Sequence, residues 1–72
     1  MPVRWSADRY DQLERAIRDG RRVALMRRGT EYVVVALRLA TEQSREVLVG
    51  RLPMTGEELR FALGDIDHLE VL

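Results

Sequence analysis

At Gly20 the hydrophobic pattern of this chain changes from a helical period to a period of two, so one helical segment is followed by a run of strands. Before Gly20, the residues Tyr10, Leu13, Ala16 and Ile17 recur at helical spacing and form one apolar stripe. Ser6 is a good N-cap, because its hydroxyl can accept from a free N–H of the first turn. Trp5 and Tyr10 then occupy the two positions of a hydrophobic staple. Asp8 lies where the helix dipole favours negative charge, and Asp11–Arg15 and Glu14–Arg18 are acid-before-base pairs four residues apart. Gly20 is the natural residue to follow the last turn. The spacing predicts a helix over about 7–19.

Beyond Gly20 the pattern predicts five strands, over about 21–28, 31–40, 46–52, 57–63 and 68–72. Val23 and Leu25 share a face of the first. The second is rich in β-branched residues, with Val33, Val35, Leu37 and Leu39 on one face and Tyr32, Val34 and Ala36 on the other, so much of it should be buried on both sides. Gly29-Thr30 reads as a turn, Thr41 to Ser44 as a loop, and Pro53-Met54-Thr55-Gly56 as a turn cluster. Leu59, Phe61 and Leu63 point inward from the fourth strand, and Gly64 to Asp67 turns again, in the manner of one 3₁₀ turn. Hairpin signals join most neighbours, so the sheet should be largely antiparallel. Five strands in so short a chain, one long enough to bend, favour a closed or nearly closed barrel, which also removes sticky sheet edges. The expected class is α+β: an N-terminal amphipathic helix capping a five-stranded, strongly bent antiparallel barrel.

With 72 residues, the chain has room for a single domain over 1–72, and by area scaling only about 60% of its surface can be buried. There is no cysteine, so no disulfide or thiolate metal site staples it. The longest apolar run, Tyr32 to Leu37, is far short of a membrane span, and Met-Pro-Val-Arg-Trp lacks the apolar stretch of a signal peptide, which points to the cytoplasm and away from a membrane. All 12 basic residues are arginine, balanced by 12 acids. Residues 1–30 hold eight Arg and four acids, residues 31–72 four Arg and eight acids. A neutral chain polarised in this way can meet charged partners.

An N-terminal helix followed by five bent antiparallel strands resembles the Sm-like group of small β-barrel proteins. Within that group, Trp5-Ser6-Ala7-Asp8-Arg9-Tyr10-Asp11-Gln12-Leu13-Glu14 resembles the start of the Rof family, small bacterial inhibitors of the transcription terminator Rho. The strand Glu57 to Leu63 followed by Asp65-Ile66 resembles that family's closing pattern. Leu13 to Val23 and Gly56 to Leu72 are similar to the two ends of the WYL domain of bacterial regulators. However, Val47-Leu48-Val49-Gly50 replaces the Trp-Tyr-Leu signature, and Asp65 stands where that family places a basic residue, which counts against a ligand pocket of its kind. The Rof resemblance implies binding to a nucleic-acid-binding protein, with acidic side chains in the place of phosphates. The broader Sm-like resemblance implies RNA binding and ring assembly.

Catalysis has little to work with: His68 is the only histidine, and no Ser or Thr stands beside a plausible base in sequence. No catalytic, cofactor-binding or metal-binding residues are assigned; Asp65-Ile66-Asp67-His68 reads as a solvated turn whose aspartates bond their own backbone. Two charged clusters remain. Arg18, Arg21, Arg22, Arg27 and Arg28 read either as a phosphate-contact patch for RNA or DNA, or as dipole compensation and ordinary surface pairing. Glu57, Glu58, Asp65, Asp67 and Glu70 suit a basic protein surface, or simply form a solvated rim. The two clusters can also pair between subunits, giving a homo-oligomer. Few aromatics and a zero net charge favour a non-enzymatic regulatory module with a protein partner over a nucleic-acid binder.

Overall fold

The computed structural model describes residues 5–72. The chain is α+β, with one helix and one five-stranded antiparallel sheet. Helix α1 spans Ala7–Arg18, followed by β1 (Arg22–Arg27), β2 (Thr30–Glu42), β3 (Arg45–Arg51), β4 (Glu58–Ala62), a 3₁₀ turn (Leu63–Asp65) and β5 (Ile66–Val71). Every element expected from the sequence is present, with no end displaced by more than two residues.

Both ends of α1 are built as the sequence dictates. The Ser6 hydroxyl accepts from the Arg9 N–H at 3.3 Å. At the other end Asp19 is the C-cap and Gly20 takes φ +65°, while Arg21 N–H reaches Ala16 O and Gly20 N–H reaches Ile17 O, the paired bonds of a Schellman motif. Leu13 and Ala16 are buried in the common core, and α1 rests on β2 and β5.

The strand order is β4-β3-β2-β1-β5, each pair antiparallel. No ladder joins β4 to β5, so by hydrogen bonding the sheet is open, with β4 and β5 as its edges. The core lies on one face: Val23, Leu25, Val34, Ala36, Leu48, Phe61, Leu63, Ile66 and Leu69 join Leu13 and Ala16. Ile66, assigned to a turn by sequence, instead opens β5 and is fully buried.

The long strand departs from strict alternation. The pairing of β2 with β3 shifts between Ala36 and Arg38, so Leu37 sits in a bulge. Bulges insert one unpaired residue and bend the strand. Parity inverts there: Leu39 pairs with fully buried Leu48 and packs on the core side, not on the Val33 and Val35 face as alternation predicted. Gly50 lies opposite Ala36 just past this bend, and a Cβ built on it would stand 2.5 Å from Val34 Cγ2 and 2.9 Å from Val34 Cβ.

Strand β3 is buried on both faces. Val47 and Val49 lie opposite the side that carries Leu48, yet expose 6% and 0% of their surface. Arg38 of β2 pairs with Glu58 of β4 at 3.4 Å, and Arg60 of β4 pairs with Glu42 of β2 at 2.9 Å. Because β3 runs between β2 and β4, both ion pairs cross its outer face, and their aliphatic stems shield the two valines.

The β2–β3 connection is shorter than the expected loop. Glu42 pairs with Arg45, leaving only Gln43 (φ +52°) and Ser44 (φ +63°) between the strands. Two positive φ angles in a two-residue hairpin match the strands' right-handed twist, but Asn-Gly fits them better. Gln43→Asn with Ser44→Gly is therefore expected to stabilise the fold by about 1 kcal/mol, seen as a rise of roughly 4–8 °C in Tm. An unchanged melting curve would show that this turn is not under backbone strain.

Candidate functional site

The five arginines singled out by sequence do not form one patch. Arg22 and Arg27 lie at opposite ends of β1, about 17 Å apart at strand rise. Arg18 is exposed at the end of α1, 3.7 Å from Asp19. Arg21 donates from Nε and Nη2 to Leu72 O at 3.1 and 2.8 Å. Arg22 is exposed and its side chain has no partner among the described residues.

Arg27 has the parity of Val23 and turns inward. Its guanidinium lies 5.2 Å from the centroid of Tyr32 and 4.9 Å from that of Phe61, two rings that meet edge to face. It donates to Tyr32 Oη at 3.2 Å and to the Arg60 carbonyl of β4 at 3.2 Å. In a flat sheet β1 and β4 would stand about 14 Å apart, beyond the reach of one side chain, so the sheet curls strongly. Arg28 is a turn residue rather than a strand residue (φ +50°), followed by Gly29 at φ +79°.

The acidic residues are also dispersed, and several of them face the arginines. Glu57 and Glu58 stand at the start of β4, Asp65 is in the 3₁₀ turn, and Asp67 and Glu70 are on β5. Asp65 lies 3.7 Å from Arg28 and 3.3 Å from Arg45. Asp67 accepts the Arg28 backbone N–H at 3.2 Å. Glu58 pairs with Arg38. Arg28 is the point where the basic half of the sequence meets the acidic half, through Asp65 and Asp67, whereas Arg38–Glu58 and Arg45–Asp65 pair within the second half. Glu57 and Glu70 remain exposed, with side chains that have no partner among the described residues.

Three contacts that bind the helix to the sheet had no local signal in the sequence. Trp5 Nε1 donates to Leu63 O at 2.9 Å, Arg9 Nη1 to Leu69 O at 2.9 Å, and Tyr10 Oη to Glu46 Oε2 at 2.6 Å. Arg9 and Arg27 each hold a carbonyl on an edge strand, β5 and β4 respectively. Alongside them, a surface groove of about 610 Å³ opens between the first turns of α1 and β5; Ser6, Asp8, Arg9, Gln12, His68 and Glu70 are among its lining residues.

The hydrogen bond to Glu46, with partial burial and the charges of Glu46 and Glu14, pushes the Tyr10 pKa from 10.0 up to about 12. The folded state therefore holds this proton more tightly than the unfolded chain. Its contribution to stability is complete below the ordinary tyrosine pKa and is lost as pH rises from about 10 to about 12. Thermal melts at about pH 9 and about pH 11.5 should show a larger drop for the wild type than for Tyr10→Phe; equal drops would show that the tether carries no proton linkage.

Base-stacking surfaces are scarce. The Trp5 indole and the Tyr10 hydroxyl are bonded to the fold, Phe61 is fully buried, and Tyr32 lies under Arg27. His68 is exposed on the outer face of β5, paired in register with Met26. No three His, Asp or Glu side chains converge as metal ligands among the described residues, and no helix among them is long and apolar enough to cross a membrane. No family model matches this chain, and neither does any curated protein or solved structure.

Proposed function

We propose that this chain is a small, non-enzymatic regulatory module that binds a protein through acidic side chains and is built on a strongly bent Sm-like barrel of the Rof kind. The bulge at Leu37, the close approach of Gly50 to Val34 and the reach of Arg27 from β1 to β4 all support strong bending of the sheet. On this reading α1 caps one end of the barrel and Arg27 occupies the other.

The observation that favours a protein partner over a nucleic acid is the state of the aromatic and arginine side chains. Single-stranded RNA is held by open aromatic faces beside a basic groove. Here all four aromatic residues have fold contacts, and Arg21, Arg27 and Arg28 are bonded within the chain. Exposed Glu57 and Glu70, with Glu58, Asp65 and Asp67 held in place by arginines, suit a basic protein surface such as that of a nucleic-acid-binding protein.

A labelled single-stranded RNA, followed by fluorescence anisotropy at about 50 and about 200 mM salt, should show no binding. Binding that falls steeply with salt would overturn the reading in favour of Arg18, Arg21, Arg22 and Arg28. With a captured protein partner, Glu57→Ser/Glu58→Ser/Asp67→Ser should abolish binding, whereas Arg21→Ser/Arg22→Ser should retain it.

A further inference from the structure

The outer face of the β5–β1–β2 sheet carries an apolar strip with charges placed only at its ends and rim. Along β1 and β2, Ala24 pairs with Val33 and Arg22 with Val35, while Met26 pairs with Glu31. On the flanks Glu70 lies beside Ala24, His68 beside Met26, and Arg51 beside Val35. The neighbours Val23, Leu25 and Val34 point into the core, which places these residues on the opposite face. Val33 exposes 40% of its surface although it sits mid-strand between paired neighbours.

The charges around this strip differ from those elsewhere on the sheet. Arg38, Glu42, Glu58 and Arg60 are paired within the chain. The side chains of Arg22, Arg51, Glu31 and Glu70 have no hydrogen bond or ion pair with any described residue. They are also sorted by sign: Arg22 and Arg51 share the Val35 row, Glu31 lies in the Met26 row, and Glu70 in the Ala24 row.

We propose that this face is self-complementary and that a second copy of the chain packs on it as a two-fold dimer. With the axis lying between the sheets, across the strands and through the Ala24–Val33 row, strand directions are reversed from one copy to the other. The Arg22 end of each copy then covers the Glu31 end of the other. Glu31 falls between Arg22 and Arg51 of the facing copy, Val33 meets Val33, and Glu70 lies diagonal to Arg22. The opposite choice of axis, along the strands, lays each row on its own copy, so that the row of Arg22 and Arg51 meets itself and the Glu31 row meets itself, and loses the pairing of Arg22 and Arg51 with Glu31. Three strands and five residues make a footprint of roughly 14 by 17 Å, small beside a stable interface, so the dimer forms and dissociates with concentration. This goes beyond the acidic-surface reading, and its test uses Arg22 and Glu31, so the two can fail separately.

The test is mass in solution, by sedimentation equilibrium or light scattering, from about 10 μM to about 1 mM, spanning the range of weak association. The wild type should rise from 8.4 kDa toward twice that value. Val33→Thr, which keeps a β-branched residue, should shift the midpoint to at least tenfold higher concentration. Arg22→Glu alone and Glu31→Arg alone should each stay monomeric with wild-type circular dichroism. Mixed in equal amounts, those two variants should dimerise again, because the pairs between positions 22 and 31 are then of opposite sign on both sides of the interface, and those with Arg51 and Glu70 on one side. A wild type monomeric throughout, single reversals that dimerise normally, or a mixture that stays monomeric would each overturn the proposal.

Discussion

Replacing Gly50 with alanine is expected to cost about 3 kcal/mol of stability, the largest effect of any single methyl group added to this chain. The new carbon would stand within 3.0 Å of both Cβ and Cγ2 of Val34. A flexible neighbour could swing away, but valine is stiff at χ1, and its Cβ moves only with the backbone of β2. Strand β3 is buried on both faces, so it has no open side to retreat to. A chain of 72 residues has about 4–11 kcal/mol of stability in all, which makes this loss a large fraction. Urea unfolding should show a lower midpoint with an unchanged slope. In a double-mutant cycle, Val34→Ala should relieve the clash, so that the pair costs less than the sum of the single changes by about 1–2 kcal/mol. A Gly50→Ala variant within about 0.5 kcal/mol of wild type would refute the close approach of β2 to β3 at this point.

The second large effect is at Arg27. Arg27→Ala should lose about 2–3 kcal/mol, because it removes a cation from two ring faces and two hydrogen bonds at once. Arg27→Lys should recover little of this: an ammonium has no planar fork with which to stack on Tyr32 and Phe61 while reaching the Arg60 carbonyl. Arg27→Met restores an apolar stem only and should fall between the two. If lysine proves as good as arginine, the side chain acts as a simple surface charge and the curl of the sheet does not depend on it. The same variants separate structure from binding, since a phosphate-contact arginine would tolerate lysine in the fold and lose affinity instead.

Features that depend on local pattern were legible in the sequence. Ser6, Gly20 and the Leu13–Ala16 stripe announced α1, and alternation announced the strands, because caps and periods are properties of neighbours in the chain. The bulge at Leu37 was not legible. It is set by how β2 pairs with β3, and it moved Leu39 to the core face against strict alternation. The burial of Ile66 was missed because aspartates on both sides make it look like a turn. The charged clusters were legible as composition but not as geometry: Arg27 shared the parity of Val23, a hint that it pointed inward, yet its rings come from β2 and β4. Asp65 and Arg28 are 37 positions apart and meet only because the 3₁₀ turn before β5 comes back to the β1–β2 hairpin.

The bond from the Trp5 indole to the Leu63 carbonyl has an optical consequence. This is the chain's single tryptophan, and it sits at the entrance to α1 while its hydrogen bond ends on the 3₁₀ turn before β5. Its emission therefore reports on whether the helix is docked, whereas ellipticity near 218 nm sums the helix and the more numerous strand residues. If fluorescence and ellipticity melt together, helix and strands form one cooperative unit; a red shift that precedes the loss of strand signal marks a helix that leaves first. Nature has thus placed an intrinsic fluorophore at the joint between the two halves of this fold, and no added label is needed to watch that joint open.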